Sequence, residues 1–201
     1  MNALLRSISF IFHPLLMPML GVVLFFYTSP RHLPEQIVQA KLISIFLLTI
    51  VFPILIFYFL KATKQARTIY LQSYKERISP LIINCGVLIY IVLIIFPITE
   101  FIEVHYFFVA ILFSNLSCLI LAVLKFKASI HMIASAGILM FIIAISIHYS
   151  INLNPLIAFA FLLIGAIATS RLHMNAHTYP ELIIGFFVGL IPQLIMVRYW
   201  L

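Results

Sequence analysis

Runs of about twenty apolar residues recur along the whole chain, and their length constrains the fold more than any other feature. A hydrocarbon core of about 30 Å is crossed by a helix of about 20 residues, since each residue advances a helix by about 1.5 Å. Seven such segments run approximately over 9–28, 39–60, 81–99, 104–125, 130–149, 155–170 and 181–199. The pattern predicts an all-α, polytopic membrane helix bundle of six to seven transmembrane helices.

Composition leads to the same fold class and predicts one integral membrane domain over residues 1–201. The chain is 65% hydrophobic and 8% charged, whereas roughly a quarter of the residues of a soluble domain are charged. Pro14 and Pro18 interrupt the first segment, so we expect it to be kinked or re-entrant. Cys85 and Cys118 lie inside apolar segments without a CxxC spacing, and we interpret them as inert buried thiols.

Polar and basic residues gather in three stretches that separate the apolar segments. These stretches are 61–80, 125–131 and "SRLHMNAHTYPE" at 170–181. Two apolar segments separate each stretch from the next, so an even number of crossings should return all three to one side of the membrane. The net charge of +7 suits lipid head groups, and no basic stripe with interleaved aromatic residues indicates nucleic-acid binding.

Seven of the cations of these stretches fall into two groups. Four of them flank apolar segments singly and are predicted to extend towards lipid head groups; these are Lys61, Lys64, Arg67 and Lys125. Three others, Arg77, Lys127 and Arg171, form a set with the histidines His131 and His177, because all three stretches should lie on one side of the membrane. Guanidinium groups match the geometry of phosphate oxygens, so these three cations are predicted to bind a phosphate.

Two histidines, a carboxylate and a hydroxyl complete the predicted site. His177 and Glu181 are four residues apart, which places their side chains together over one helical turn. A carboxylate on one imidazole nitrogen would leave the other nitrogen free to attack phosphorus. His131 could protonate the leaving alcohol, and Ser129 offers a hydroxyl to the same phosphate.

A purely structural interpretation of the third stretch also fits its residues. "TYPE" at 178–181 is a T-x-x-E capping box, and Pro180 suits the first turn of a helix. Thr178 would then cap the last helix while Glu181 returns the hydrogen bond. In that interpretation Glu181 has no role beyond the cap.

The third stretch resembles a signature of the type 2 phosphatidic acid phosphatase superfamily, S-R-x5-H-x3-D. Ser170, Arg171 and His177 match it at the expected spacing, and Glu181 stands where the family has Asp. The glycines of "GFFVG" at 185–189 follow the signature and permit close helix packing.

The other two family signatures are matched in part. "ASIH" at 128–131 is similar to P-S-G-H through Ser129 and His131, with Ile130 in place of the Gly. The first signature, K-x6-R-P, is represented by Arg77 in "ERISP", with Tyr70 at the Lys position. Lys127 or Lys75 would then supply the missing positive charge.

The resemblance implies a helical-bundle enzyme that hydrolyses lipid phosphate monoesters or diphosphates through a phosphohistidine, with a phosphatase-like core at about 64–189. It implies that His177 is the nucleophile, Glu181 its orienting carboxylate and His131 the acid. It further implies a set of phosphate-binding side chains, namely Arg77, Ser129 and Arg171. Relatives of this kind work without a metal or other cofactor.

The small number of carboxylates in the chain favours a site without a metal. Magnesium sites that handle phosphates usually rest on carboxylates, but the chain contains five Glu and no Asp. Two of the five lie in the turn 99–103, on the face opposite the predicted site. Zinc held by His131, His173 and His177 is the alternative, which the neighbouring cations disfavour.

The sequence leaves two functions and two orientations in the membrane open. The leading prediction is a lipid phosphatase of a bacterial inner membrane, and the rival is a non-catalytic lipid-phosphate binder or a small transporter. Cations outside the site are more numerous on its face, with Arg6, Lys61, Lys64, Arg67, Lys75 and Lys125 against Arg31, Lys41 and Arg198. This distribution favours a cytoplasmic site, whereas the bacterial enzymes that the chain resembles mostly act on the outer face.

Overall fold

The structure is a computed structural model that describes residues 2–63 and 73–201, the first five of these by backbone alone. Within these ranges it contains nine α-helices: α1 Asn2–Ile11, α2 Met17–Thr28, α3 Glu35–Phe46, α4 Phe52–Ala62, α5 Tyr74–Tyr90, α6 Ile102–Val123, α7 Ile130–His148, α8 Asn154–His173 and α9 Tyr179–Val197. Short π-helical turns at Leu47–Val51 and Ile91–Ile95 connect α3 to α4 and extend α5.

Seven helical stretches in the described part of the chain are long and apolar enough to cross a membrane. They are Ser7–Thr28, Glu35–Ala62, Tyr74–Ile95, Ile102–Val123, Ile130–His148, Asn154–His173 and Tyr179–Val197. No strand occurs in the described ranges. The predicted all-α polytopic bundle is confirmed, and the protein is an integral multi-pass membrane protein.

The first span is broken in the middle, as its prolines predict. Helix α1 ends at Ile11, His13 is extended, and Pro14–Leu16 form a single 3-10 turn before α2 begins. A proline has no N–H to donate to the preceding turn, so the helix cannot continue through it. The break turns α1 towards α8, while α2 packs against α7.

Helix α7 lies at the centre of the bundle, because 56% of its membrane window is buried and no other span reaches 40% in the described ranges. It packs against α2, α8 and α9. One core cluster is rich in phenylalanine, with Phe107 stacked on Phe141 at 4.1 Å between ring centroids. Because of its burial and its contacts, α7 is the central helix of the bundle, and it extends from one end of the bundle to the other.

A polar cluster closes the end of the bundle opposite the predicted site. The carboxylate of Glu103 is fully buried, and its Oε1 accepts hydrogen bonds from Arg31 at 2.5 Å and from the Tyr149 hydroxyl at 2.9 Å. Burial raises the pKa of Tyr149 to about 12. The Glu103 carboxylate, in the first turn of α6, therefore joins the loop between α2 and α3 to the residue that caps α7, which agrees with its predicted place away from the basic face.

Candidate functional site

His177 and Glu181 form a hydrogen-bonded pair at the start of α9. His177 Nδ1 lies 2.8 Å from Glu181 Oε2, and the Thr178 N–H donates to the same oxygen at 3.0 Å. Thr178 and Glu181 form the predicted capping box. The two interpretations of this stretch are therefore compatible, since one carboxylate both caps the helix and orients the imidazole.

The pair determines which nitrogen of His177 can react. A carboxylate oxygen only accepts, so Nδ1 carries the hydrogen and Nε2 holds the lone pair. The side chain of His177 is 1% exposed, and burial lowers its pKa to about 4 against an opposing effect of Glu181. At neutral pH the imidazole is therefore uncharged, the state that a nucleophile requires.

Three cations surround His177 and lower its pKa further. They are Arg77 on α5, Lys127 in the loop before α7 and Arg171 in the last turn of α8. Arg77 and Arg171 are buried, at 4% and 7% exposure. Burial also lowers the pKa of Lys127, and the charges of the two arginines act in the same direction. The structure therefore brings the three basic stretches to one end of the bundle, as the parity of the apolar segments predicts.

The loop before α7 is held in the centre of this cluster by two hydrogen bonds. Arg77 Nη1 donates to the Ala128 carbonyl at 2.7 Å, and the Ser129 N–H donates to the Glu181 carbonyl at 3.0 Å. Ser129 is fully buried, and its Oγ has no hydrogen-bond partner among the described residues. A buried hydroxyl without a partner is costly, so a ligand oxygen at this position would be stabilised.

Two glycines of α9 allow the loop to come this close. A Cβ on Gly185 would lie 2.8 Å from the Ser129 carbonyl, and one on Gly189 would overlap the Ile133 carbonyl. Both contacts are with backbone atoms, which cannot move aside as a side chain can. The "GFFVG" sequence therefore brings α9 against the first turns of α7, as its glycines predict, and places Ser129 beside Glu181.

Three cationic side chains converge on His177. Those of Arg77, Lys127 and Arg171 interact electrostatically with the imidazole, and the hydrogen bond to Glu181 acts in the opposite direction. Arg77 and Arg171 are buried, so solvent and salt screen their charges less than they would at an exposed position. The arrangement therefore suits an anion such as a phosphate group.

His131 occupies a different side of the same end of the bundle. Its Nε2 lies 3.1 Å from the Ser9 carbonyl of α1, and its ring meets His13 edge-on at 5.6 Å between centroids. It also interacts electrostatically with Arg171 and His177. The structure therefore places the predicted acid near the nucleophile, but in contact with a helix that lies outside the predicted core of 64–189.

Two residues of this contact, Ser9 and His13, were not among the predicted site residues. The sequence carries a signal for His13, since a histidine directly before Pro14 in an apolar run marks a polar break inside a membrane span. It carries none for Ser9, because its contact with His131 joins residues 122 positions apart.

Three of the remaining predicted residues lie in the part of the chain that the structure describes. Lys61 and Lys125 are exposed, as expected of side chains that extend to head groups, whereas Lys64, Arg67 and Tyr70 lie outside the described residues. His173 is exposed. No group of three His, Cys, Asp or Glu side chains in the described ranges is arranged to hold a metal ion, so the alternative zinc site is not formed there.

An apolar cleft of about 330 Å³ opens beside the cluster, between α8 and α9. Its lining residues are Met132, Ala168, Leu172, Tyr179, Leu182, Ile183, Phe186 and Phe187. Three of them, Met132, Leu172 and Leu182, directly follow the predicted site residues His131, Arg171 and Glu181 in sequence. A ligand with a charged head and an apolar tail could therefore occupy both places at once.

No protein-family model, curated protein or solved structure matches the chain.

Proposed function

We propose that the protein hydrolyses the phosphate monoester or diphosphate of a membrane lipid, without a metal, through a phosphohistidine at His177. The observation that carries the proposal is the neutral, carboxylate-bound His177 beside three cationic side chains. A phosphate would meet Arg77, Lys127, Arg171 and the Ser129 hydroxyl. These groups would stabilise the charge that develops on the phosphoryl oxygens during transfer.

The reaction would proceed in two displacements. In the first, His177 Nε2 attacks phosphorus, a P–N bond forms, and the bond from phosphorus to the leaving oxygen breaks. His131 gives its proton to that oxygen, which leaves as the lipid alcohol or, from a diphosphate, as the lipid monophosphate. In the second, water attacks the phosphohistidine, His131 accepts the proton of the water, and inorganic phosphate is released as the P–N bond breaks.

The apolar cleft supports a lipid substrate. Its residues continue from the cationic cluster along α9, so an acyl or prenyl tail could lie there while the phosphate lies among the cations. We propose a bacterial inner membrane as the location, with the substrate drawn from the surrounding bilayer.

A non-catalytic lipid-phosphate binder is the second candidate, and one observation favours it. His131 Nε2 is engaged by the Ser9 carbonyl, and the His177 side chain is almost wholly enclosed. A protein that only binds a phosphate needs the cations but not the pair of histidines. The two functions therefore differ in what the loss of His177 does.

The test is phosphate release by purified protein from a panel of lipid monophosphates and diphosphates. We expect His177→Ala to abolish release while the variant stays folded and still binds the lipid, because the cations are retained. His131→Ala should slow release by about 10²–10⁴-fold for alkyl leaving groups and much less for an aryl phosphate, whose leaving oxygen needs no proton. Full activity of His177→Ala would contradict the phosphohistidine, and binding without release by the wild type would favour the binder.

A further inference from the structure

Helix α1 supplies the surroundings of the predicted acid, although it precedes every motif of the site. His131 is the second residue of α7, and its ring faces α1 and the break that follows it. The 3-10 turn Pro14–Leu16 packs on α7, and α1 packs along α8. Two parts of the first span, α1 and the break that follows it, therefore contact the ring of His131.

The contact with Ser9 determines the tautomer of His131. A carbonyl oxygen only accepts, so Nε2 must carry the hydrogen that lies in the 3.1 Å contact with the Ser9 carbonyl. Nδ1 then holds the lone pair, and it makes no hydrogen bond among the described residues. Nδ1 is therefore the nitrogen left to carry a proton to and from a reacting group.

The position of the Ser9 carbonyl depends in turn on a tight contact between α1 and α8. Ser9 Oγ and Ser170 Oγ are 2.6 Å apart, and both side chains are buried, at 5% and 0% exposure. A larger side chain at position 9 could not be accommodated there without moving α1 away from α8. Such a movement would withdraw the Ser9 carbonyl from His131.

His13 restrains the ring from a second direction. Its Nδ1 accepts a weak hydrogen bond from the Leu15 N–H at 3.4 Å across the helix break, and its ring meets His131 edge-on. Edge-on packing fixes the plane of a neighbouring ring and does not require a nitrogen atom. The restraint should therefore survive replacement of His13 by another aromatic ring.

We propose that Ser9 and His13 are positioning residues for proton transfer, which orient His131 so that Nδ1, protonated in the imidazolium form, gives that proton to the leaving oxygen and keeps the lone pair. The inference rests on the proposed phosphatase function. It assigns to the broken first span a role in the reaction that the motifs at 128–131 and 170–181 do not contain.

The experiment compares two substrates, dioleoyl phosphatidate and 4-nitrophenyl phosphate, which differ in their need for an acid. Ser9→Leu should lower phosphate release from phosphatidate by about tenfold to a hundredfold, a part of the ~10²–10⁴ that a positioned acid contributes. Its effect on the aryl phosphate should stay below about threefold. Phe10→Leu is the matched control, because Phe10 is 81% exposed on the same helix and should leave both rates unchanged.

Two further variants protect the test against simple misfolding of Ser9→Leu. His13→Ala should show the same dependence on the leaving group, and His13→Phe should restore the rate, because the aromatic packing is retained. In the His131→Ala background neither Ser9→Leu nor His13→Ala should lower the rate further. Histidine ¹⁵N spectra of the wild type, assigned by comparison with His131→Ala, should show that the neutral form of His131 carries its hydrogen on Nε2.

The outcomes separate this inference from the function on which it rests. A wild type that releases no phosphate from any lipid refutes the proposed function and this inference with it. An active wild type in which Ser9→Leu and His13→Ala slow both substrates equally, or lower the rate of His131→Ala further, refutes the positioning role alone. A neutral His131 that carries its single hydrogen on Nδ1 in the wild type also refutes it.

Discussion

Replacing Gly189 with alanine should push α9 away from α7 and destabilise the whole bundle. A Cβ at this position would lie 2.7 Å from the Ile133 carbonyl carbon and 2.9 Å from its Cα, with the carbonyl oxygen closer still. All three are backbone atoms of α7, the most buried span. Neither helix can relieve the overlap by a change of rotamer, so the two axes must separate.

The size of the effect follows from three contributions. Overpacking of a close contact costs about 1–3 kcal/mol, and loss of the hydrogen bond from the Ser129 N–H to the Glu181 carbonyl costs a further 0.5–1.5 kcal/mol or so. Alanine offsets about 1 kcal/mol of this, because it favours a helix more than glycine does. The free energy of unfolding should therefore fall by about 1–3 kcal/mol.

Gly165→Ala is the matched control for this substitution. Gly165 lies in the middle of α8, it is exposed, and a Cβ there would meet no atom within 4 Å. The same change should therefore stabilise the protein by up to about 1 kcal/mol through helix propensity alone. With roughly 2–4 °C per kcal/mol for a chain of this length, the Tm values of the two variants should differ by about 2–16 °C.

The assay is a thermal unfolding scan in detergent with a thiol-reactive dye that reports the exposure of Cys118, which is 3% exposed in the folded protein. A Tm for Gly189→Ala equal to or above that of Gly165→Ala would refute the close approach of α7 and α9. It would also remove the physical reason for the position of Ser129 in the site.

Three further predictions concern the site itself. Burial lowers the pKa of His177 in the folded protein to about 4 from its ordinary 6.5, so the unfolded chain binds this proton first as the pH falls. The contribution of the neutral imidazole to stability should therefore be full above about pH 6.5 and decline towards pH 4. His177→Gln should reduce this dependence of Tm on pH in the same thermal scan. Phosphate release should persist in EDTA, since the predicted site is cationic and the chain contains no Asp; loss on chelation that one added metal restores would contradict this. Single cysteines at Lys75 and at Thr99, in a background without the native thiols, test the orientation in intact cells. An impermeant maleimide should label the cysteine at Thr99 and not the one at Lys75 if the site is cytoplasmic. The reverse pattern would place the site on the outer face.

The sequence alone was sufficient for the features that depend on neighbouring residues. A span is recognised from its own length and hydropathy, so the seven crossings could be predicted segment by segment. The break at Pro14 and the capping box at Thr178 are equally local. The pairing of His177 with Glu181 follows from their spacing of four residues, and because His177 lies just before α9, the contact is made across the N-terminal cap of that helix.

Parity of the crossings extended the sequence prediction one step further, to the end of the bundle at which the basic stretches meet. The parity of the crossings does not show which helices are in contact. In a bilayer the lipid tails are as apolar as a leucine side chain, so the faces of a span that meet lipid and those that meet protein look alike in sequence. In the sequence, only Gly185 and Gly189 indicate the close approach of α7 to α9. These small residues permit the approach but do not show which helix α9 packs against.

The tertiary structure decided the parts of the site that join distant residues. The Ser129 N–H meets the Glu181 carbonyl across 52 positions, and Arg77 Nη1 reaches the Ala128 carbonyl across 51. The contact of α1 with His131 spans 122 positions, and no local pattern encodes it. In all three contacts the hydrogen-bond acceptor is a backbone carbonyl. Every residue carries the same carbonyl group, so only the folded structure shows which carbonyl a given donor reaches.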